Sequence, residues 1–287
     1  MKLARPDVFH PRIVFAAAPA RPGGPPDDAG LVGALRSRGL HARWLPWTDP
    51  AAARADLVIL REVGDHAGCR AQLSAWAAGV GQLLNPPAVL AWNLDKRYLL
   101  DLADRGVPTV ETAVFAPGQV ARVNAGAAVV APAVGAGARR FERPAAAREH
   151  AARLQAAGQT VVIQPAESRR RTALVFVGGA PSHAVAAGTG VDADFGVWDV
   201  GQAALAAAAA RLGVGIDEIL TARAVVAGGP DGAGGAPQLL RLQLVDPVLG
   251  WTVLAADARA RHQRQFALAV ESALQRRGLG PLAHRRP

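Results

Sequence analysis

Cysteine is nearly missing from this 287-residue chain, which has only Cys69. One thiol excludes an internal disulfide and any thiolate cluster for zinc or iron, and it fits a reducing, cytoplasmic setting. Lysine is almost as scarce: Lys2 and Lys96 stand alone among 32 basic residues, the rest being arginine. No apolar run approaches the roughly 20 residues that cross a bilayer, so no transmembrane helix and no membrane partner are expected. The segment RIVFAAAPA (12–20) is short and apolar. It reads as a first buried strand, with a secretory signal as the alternative. No G-x-G-x-x-G follows that strand, so a dinucleotide site has no support. Internal repeats are absent as well.

What is present describes a globular chain. Hydrophobic residues make up 51% and charged residues 19%, and the length allows two or three modest domains. A net charge of +9 raises nucleic-acid binding, because basic side chains on phosphates supply most non-specific affinity. The arginines, however, are scattered, with dense groups only at SRRR (168–171) and in the terminal HRRP. Nucleic acid is therefore kept only as an alternative partner.

The first third alternates short apolar runs with helical patterns, as a three-layer α/β unit does. Strands are expected at 12–17, HARWLPW, DLVILRE and QLLNPP, and helices at 27–39 and 69–79. Acids at Asp27 and Asp28 suit the first turn of the earlier helix. A second unit begins at WNLDKRYLLDLADRGVPT, where Asn93 or Asp95 can cap a helix that Gly106 and Pro108 end. AGAAVVAPAV, TVVIQP, TALVFVGG and SHAVAAG follow as strands, with an alanine-rich helix from Pro144 to Ala157. A helix around 202–212 leads to the strands ILTARAVVA and PQLLRLQLV, joined by GGPDGAGG, which is read as a hairpin loop. A long helix closes the chain.

Six of these pieces in order carry a family resemblance: 83–112, VVAPAVGAGAR (129–139), VVIQP (161–165), TALVFVGGAPSHAV (172–185), ARAVV (222–226) and LRLQLVDPVL (240–249). Together the chain resembles the ATP-grasp superfamily, in the glutathione-synthetase-like branch that includes the cycloserine-forming cyclo-ligase. The resemblance implies an α/β ATP-grasp fold with an N-terminal Rossmann-like (pre-ATP-grasp) α/β domain. The expected units are 1–90 for that domain, 91–165 for subdomain A, and 166–287 for subdomain B with the C-terminal helix. In such proteins two subdomains grip ATP, and magnesium helps pass its γ-phosphoryl group to a carboxylate, which an amine then captures.

Phosphoryl transfer needs cations on the phosphates and hard oxygen ligands for magnesium. Lys96 stands where the family's first phosphate lysine lies, and the second family lysine is replaced by Ala131. Metal-binding positions hold Val225, Arg241 and Gln243. Alternation places Leu240, Leu242 and Leu244 on one strand face with Arg241 and Gln243 on the other, and Arg223 beside Val225. By the same parity Asp246 falls on the face away from Gln243. Arg171 stands where a glutamate is usual, and alanines follow His183 where a basic residue is common. His183 is either a cleft residue or a satisfied strand histidine. Arg61, ending DLVILRE, is a substrate-contact candidate or the partner of a nearby acid, Glu62 or Asp65. Gln164 lies on the adenine-side hinge.

The cofactor-binding candidates are thus Lys96, Gln164, Arg223, His183 and Arg241, with no catalytic residue assigned. Several charge requirements fail together, so the expected function is a non-catalytic ATP-grasp pseudoenzyme that binds a nucleotide such as ATP weakly, or another small anion, without magnesium. Arginines 139, 140, 171 and 241 are candidates to replace the lost positive charge. An active ATP-dependent carboxylate-amine ligase with relocated metal ligands is the alternative. A protein partner and a homodimer remain candidate assemblies, with no interface legible.

Overall fold

The computed structural model describes residues 10–65, 67–229 and 235–280. Most of GGPDGAGG, all of HRRP, and Lys2 lie outside the described residues. The first unit is a parallel sheet of order β2-β1-β3-β4, built from β1 (Ile13–Ala17), β2 (Ala42–Pro46), β3 (Leu57–Leu60) and β4 (Leu83–Leu84). β1 and β3 are buried along their whole length because helices cover both faces. Ile13, Phe15 and Ile59 pack against Leu31 and Leu35 of α1 (Leu31–Arg36) and against Phe266 and Val270 of the C-terminal helix. Ala16, Val58 and Leu60 face Leu73 and Ala77 of a helix from Arg70 to Gly79 and Leu90 of the next helix.

The helix expected at 27–39 is shorter than its pattern. Pro26–Asp28 form a 3-10 turn, Gly30 adopts a left-handed conformation (φ 98°), and only Leu31–Arg36 are α-helical. The two aspartates therefore cap nothing. Asp28 pairs with Arg61, and Asp27 accepts from the backbone N–H groups of Gly250 and Thr252. Local charge pattern yielded here to long-range partners.

After α2 (Pro50–Ala53) and α3 (Arg70–Gly79), a pair of helices, α4 (Pro87–Asn93) and α5 (Tyr98–Asp104), replaces the single capped helix expected around Lys96. Lys96 sits in the turn between them. Val89, Tyr98, Leu99, Leu102 and Val107 share a core with Leu174, Phe176 and Leu242, so this stretch packs with the large sheet. Within the stretch 91–165 lies the small sheet of order β5-β8-β6-β7: β5 (Ala113–Phe115), β6 (Ala128–Pro132), β7 (Arg139–Phe141) and β8 (Val161–Pro165). It is backed by α6 (Pro144–Ala156), against which Val130, Val161 and Ile163 pack.

The large sheet is antiparallel, with order β11-β10-β9-β12-β13: β9 (Arg171–Val177), β10 (Ala180–Ala186), β11 (Thr189–Val191), β12 (Thr221–Ala227) and β13 (Gln238–Gln243). Leu174, Ala184, Ala224 and Leu242 face α7 (Phe195–Leu212), and α8 (Ala256–Arg276) returns to cover the first sheet. The pairing slips between Val225↔Arg241 and Val226↔Leu239. That bulge takes Leu240 out of the strand's alternation, so Leu239, Leu242 and Leu244 fill the core and Leu240 is only half-buried, correcting the expected leucine face.

Two buried polar residues bolt the first unit to the large sheet. Arg61 donates to both oxygens of Asp28 (2.7 and 3.0 Å), to Thr221 Oγ1 (3.3 Å) and to the Pro247 carbonyl (2.9 Å). Asn85 donates to the Thr221 and Leu244 carbonyls and accepts from Thr221 N–H.

Candidate functional site

The face of the large sheet opposite α7 carries two cross-strand rows. One runs His183, Val175, Arg223, Gln243 and the other Val185, Ala173, Val225, Arg241. The expected grouping of Arg223, Val225, Arg241 and Gln243 on one face is therefore what the register gives. Where β13 meets the turn between α4 and α5, a cleft of about 280 Å³ opens, lined by Lys96, Tyr98, Arg241, Gln243, Asp65 and Asp246, with Gly135 on its rim.

Lys96 is held from the opposite side. Its ammonium donates to the carbonyls of Pro132 (2.8 Å) and Gly135 (2.6 Å), and its own N–H donates to Ala133 O. The loop leaving β6, which delivers no lysine of its own because Ala131 is a methyl group, is thus pinned by this one. Burial draws the Lys96 pKa down to about 8, with Asp95 opposing and Arg241 adding to the pull. Asp95 stays a carboxylate, lowered by hydrogen bonds from Arg97 against the effect of burial.

Gln243 has a forced orientation. Its Oε1 accepts from Arg223 Nη1 at 2.9 Å, and a guanidinium can only donate, so the amide nitrogen is the end left for the cleft. Burial, then Arg241, holds the Arg223 pKa below its usual value. Asp246 corrects the parity argument. β13 ends at Gln243, so alternation no longer governs three residues later, and Asp246 lines the cleft while accepting from Val63 N–H at 3.1 Å. Among the described residues no group of three or more His, Cys, Asp or Glu side chains could hold a metal ion.

Asn93 and Tyr98 belong to the same motif as Lys96 and were not anticipated as site residues. Asn93 donates to Leu242 O and accepts from Leu244 N–H, and the Tyr98 hydroxyl accepts from Leu242 N–H. They stand in for a neighbouring strand on the open edge of β13. Burial pushes the Tyr98 phenol up to about 12, so it stays neutral.

The other candidates lie elsewhere. Arg61 has a side chain 1% exposed and makes its contacts within the protein, with Asp28 and not Glu62 or Asp65 as the paired acid. Gln164 donates to Thr112 Oγ1 and lines a separate hollow with Glu111 and Arg122. His183 is buried against the Leu249 carbonyl, in a cavity that excludes Lys96. Arg139 and Arg140 lie on the outer strand β7, Arg140 paired with Glu142 and Arg139 over the Phe141 ring. Arg171 is exposed at the start of β9, donating to the Glu167 carbonyl. Of the arginines expected to replace lost charge, Arg241 is the one that reaches the cleft.

Comparison with known proteins gives the same placement. A model of the D-cycloserine synthetase DcsG N-terminal domain matches residues 13–85. The cycloserine biosynthesis protein DcsG of Streptomyces lavendulae is 32% identical over 285 residues, 84% of this chain and 93% of its own length. The crystal structure of D-cycloserine synthetase DcsG superposes with a TM-score of 0.77 at 29% identity, covering 92% of this chain and 99% of that one. D-alanine–D-alanine ligase from Bacillus anthracis, complexed with ATP, shares the fold at a TM-score of 0.66 and 13% identity, over 93% and 98% of the two chains. With the motif order, the three sheets and the 32% identity all in agreement, this chain belongs to the DcsG family of the ATP-grasp superfamily.

Proposed function

We propose that this protein binds a nucleotide or another small anion in the cleft without magnesium and does not transfer its phosphoryl group. The observation that carries the reading is the Arg223–Gln243 hydrogen bond, which turns the amide oxygen inward and leaves N–H donors, beside Arg241, where a hard cation needs oxygen. Val225 adds no ligand. Magnesium does not fit that set. Lys96, Arg241 and the Gln243 amide are instead arranged as an anion's partners, and ATP is the first ligand to test. The Ala131 methyl fits the same picture, since it neutralises nothing.

The test is calorimetry with ATP, with and without magnesium, alongside an assay for ADP release. Affinity is expected to be unchanged or weakened by the metal, which sequesters phosphate charge, and ADP release is expected to stay at background. Binding that strictly requires magnesium, with ADP formed and abolished by Lys96→Ala, would establish the second reading: an active ligase with relocated ligands. What favours that second reading is the entry of Asp246 into the cleft beside Asp65. A protein partner and a homodimer stay open proposals, read by the same preparation's mass in solution.

A further inference from the structure

A second cavity, of about 640 Å³, opens at the β10–β11 edge of the large sheet and shares no lining residue with the cleft. The chain runs from one to the other: Asp246 lines the cleft, Leu249 meets His183, and Val253 and Leu254 line the cavity. Asp27 ties this strap down through Gly250 and Thr252.

The polarity of one wall is fixed. His183 Nε2 lies 2.7 Å from the Leu249 carbonyl, which only accepts, so that nitrogen carries the ring proton. Burial pushes His183 down to about 4, leaving the ring neutral near pH 7 with Nδ1 as an acceptor. The Ser182 hydroxyl, 3.1 Å away, donates its single proton there, and so must accept in its 3.1 Å contact with His262 Nδ1. The two imidazole centroids lie 4.6 Å apart, and the Ser182 hydroxyl contacts both rings.

Around this wall stand charges without partners. Arg261 and Asp192 line the cavity, both are exposed, and among the described residues neither makes an ion pair or a hydrogen bond. Trp198 and Leu254 supply an apolar surface, and Phe195, one helical turn before Trp198, is 87% exposed. The volume is in the range of small-molecule sites. A simple anion would leave Asp192 facing like charge, and a purely apolar ligand would cover Arg261 and Asp192 without pairing either. We infer that this cavity binds a zwitterionic amino acid with a large apolar side chain, its carboxylate on Arg261, its ammonium on Asp192 and the Ser182 oxygen, and its side chain against Trp198.

The inference is independent of the cleft and is tested by calorimetry of the full chain with L- and D-phenylalanine. Glycine, 3-phenylpropionate and phenethylamine serve as probes lacking the side chain, the ammonium and the carboxylate. One molecule of a phenylalanine enantiomer is expected to bind per chain, with each truncated probe weaker by about tenfold or more, roughly 1.4 kcal/mol. Arg261→Ala and Asp192→Asn, both at exposed positions, are expected to weaken it similarly while far-UV circular dichroism stays unchanged, and Lys96→Ala is expected to leave it intact. Absence of heat with both enantiomers at about 10 mM (a standard free energy near −3 kcal/mol or weaker), retention of affinity in Arg261→Ala, or loss of it in Lys96→Ala would each overturn the proposal.

Discussion

At the scale of single residues, Lys96 is the only lysine among the described residues, and its environment makes its charge conditional. Its pKa near 8 means that the ammonium is present at pH 7 and is lost as pH rises through 8. Affinity for an anion in the cleft should therefore fall between pH 7 and 9, by about tenfold if one charge-assisted hydrogen bond is lost. Calorimetric titrations at pH 7, 8 and 9 read this, and a flat profile in the wild type would remove Lys96 from the binding set. The stability effect has the opposite sign. Because the folded pKa lies below the usual 10.5, the unfolded chain holds more protons between pH 8 and 10.5, and folding stability rises with pH across that window. The same lysine was legible in the sequence as an exception to an arginine-rich composition. Its hold on the Pro132 and Gly135 carbonyls was not, since those contacts join a turn to a loop more than thirty residues away.

At the scale of elements, the turn between α4 and α5 has two duties: it presents Lys96 and it covers the outer edge of β13. Asn93→Leu would keep the volume while leaving Leu242 O and Leu244 N–H without their partner. We expect a loss of about 1–3 kcal/mol in urea unfolding, the cost of buried backbone groups left unpaired. The strands themselves were largely readable. β1, β6, β8, β12 and β13 each lie within a run flagged by alternation or apolar content, and β9 and β10 start one and two residues ahead of theirs, because long pairing reinforces the local pattern. Three-residue strands such as β5, β7 and β11 carry too few positions to show a period. Parity failed where regular pairing failed, at the Leu240 bulge and past the end of β13 at Asp246. The 27–39 helix failed because Asp27 and Asp28 answer to partners that lie far along the chain.

At the scale of the whole molecule, Arg61 and Asn85 are buried polar links between the first unit and the large sheet. The Arg61–Asp28 pair is almost wholly buried, and removing one member leaves a charge without compensation. Arg61→Met should destabilise the fold by about 3–5 kcal/mol. The observable is chemical unfolding followed by tryptophan fluorescence and circular dichroism together. A loss under about 1 kcal/mol would mean that water reaches Asp28 and that the junction is looser than its contacts suggest. The sequence placed Arg61 at a strand end, where ligands and domain partners compete for the same position, and periodicity has no means of choosing between them. The family fold was legible in motif order, whereas the division of labour among its arginines depended on which elements came to lie opposite them.

The inward-facing oxygen of Gln243 has one more consequence. An amide offers an acceptor at one end and donors at the other, and here the choice between them belongs to Arg223, which lies beside it on β12. A substitution at that neighbour could reverse the charge preference of the cleft while every side chain on its surface stayed the same, so the identity of the wall residues alone does not determine which ligands the wall admits.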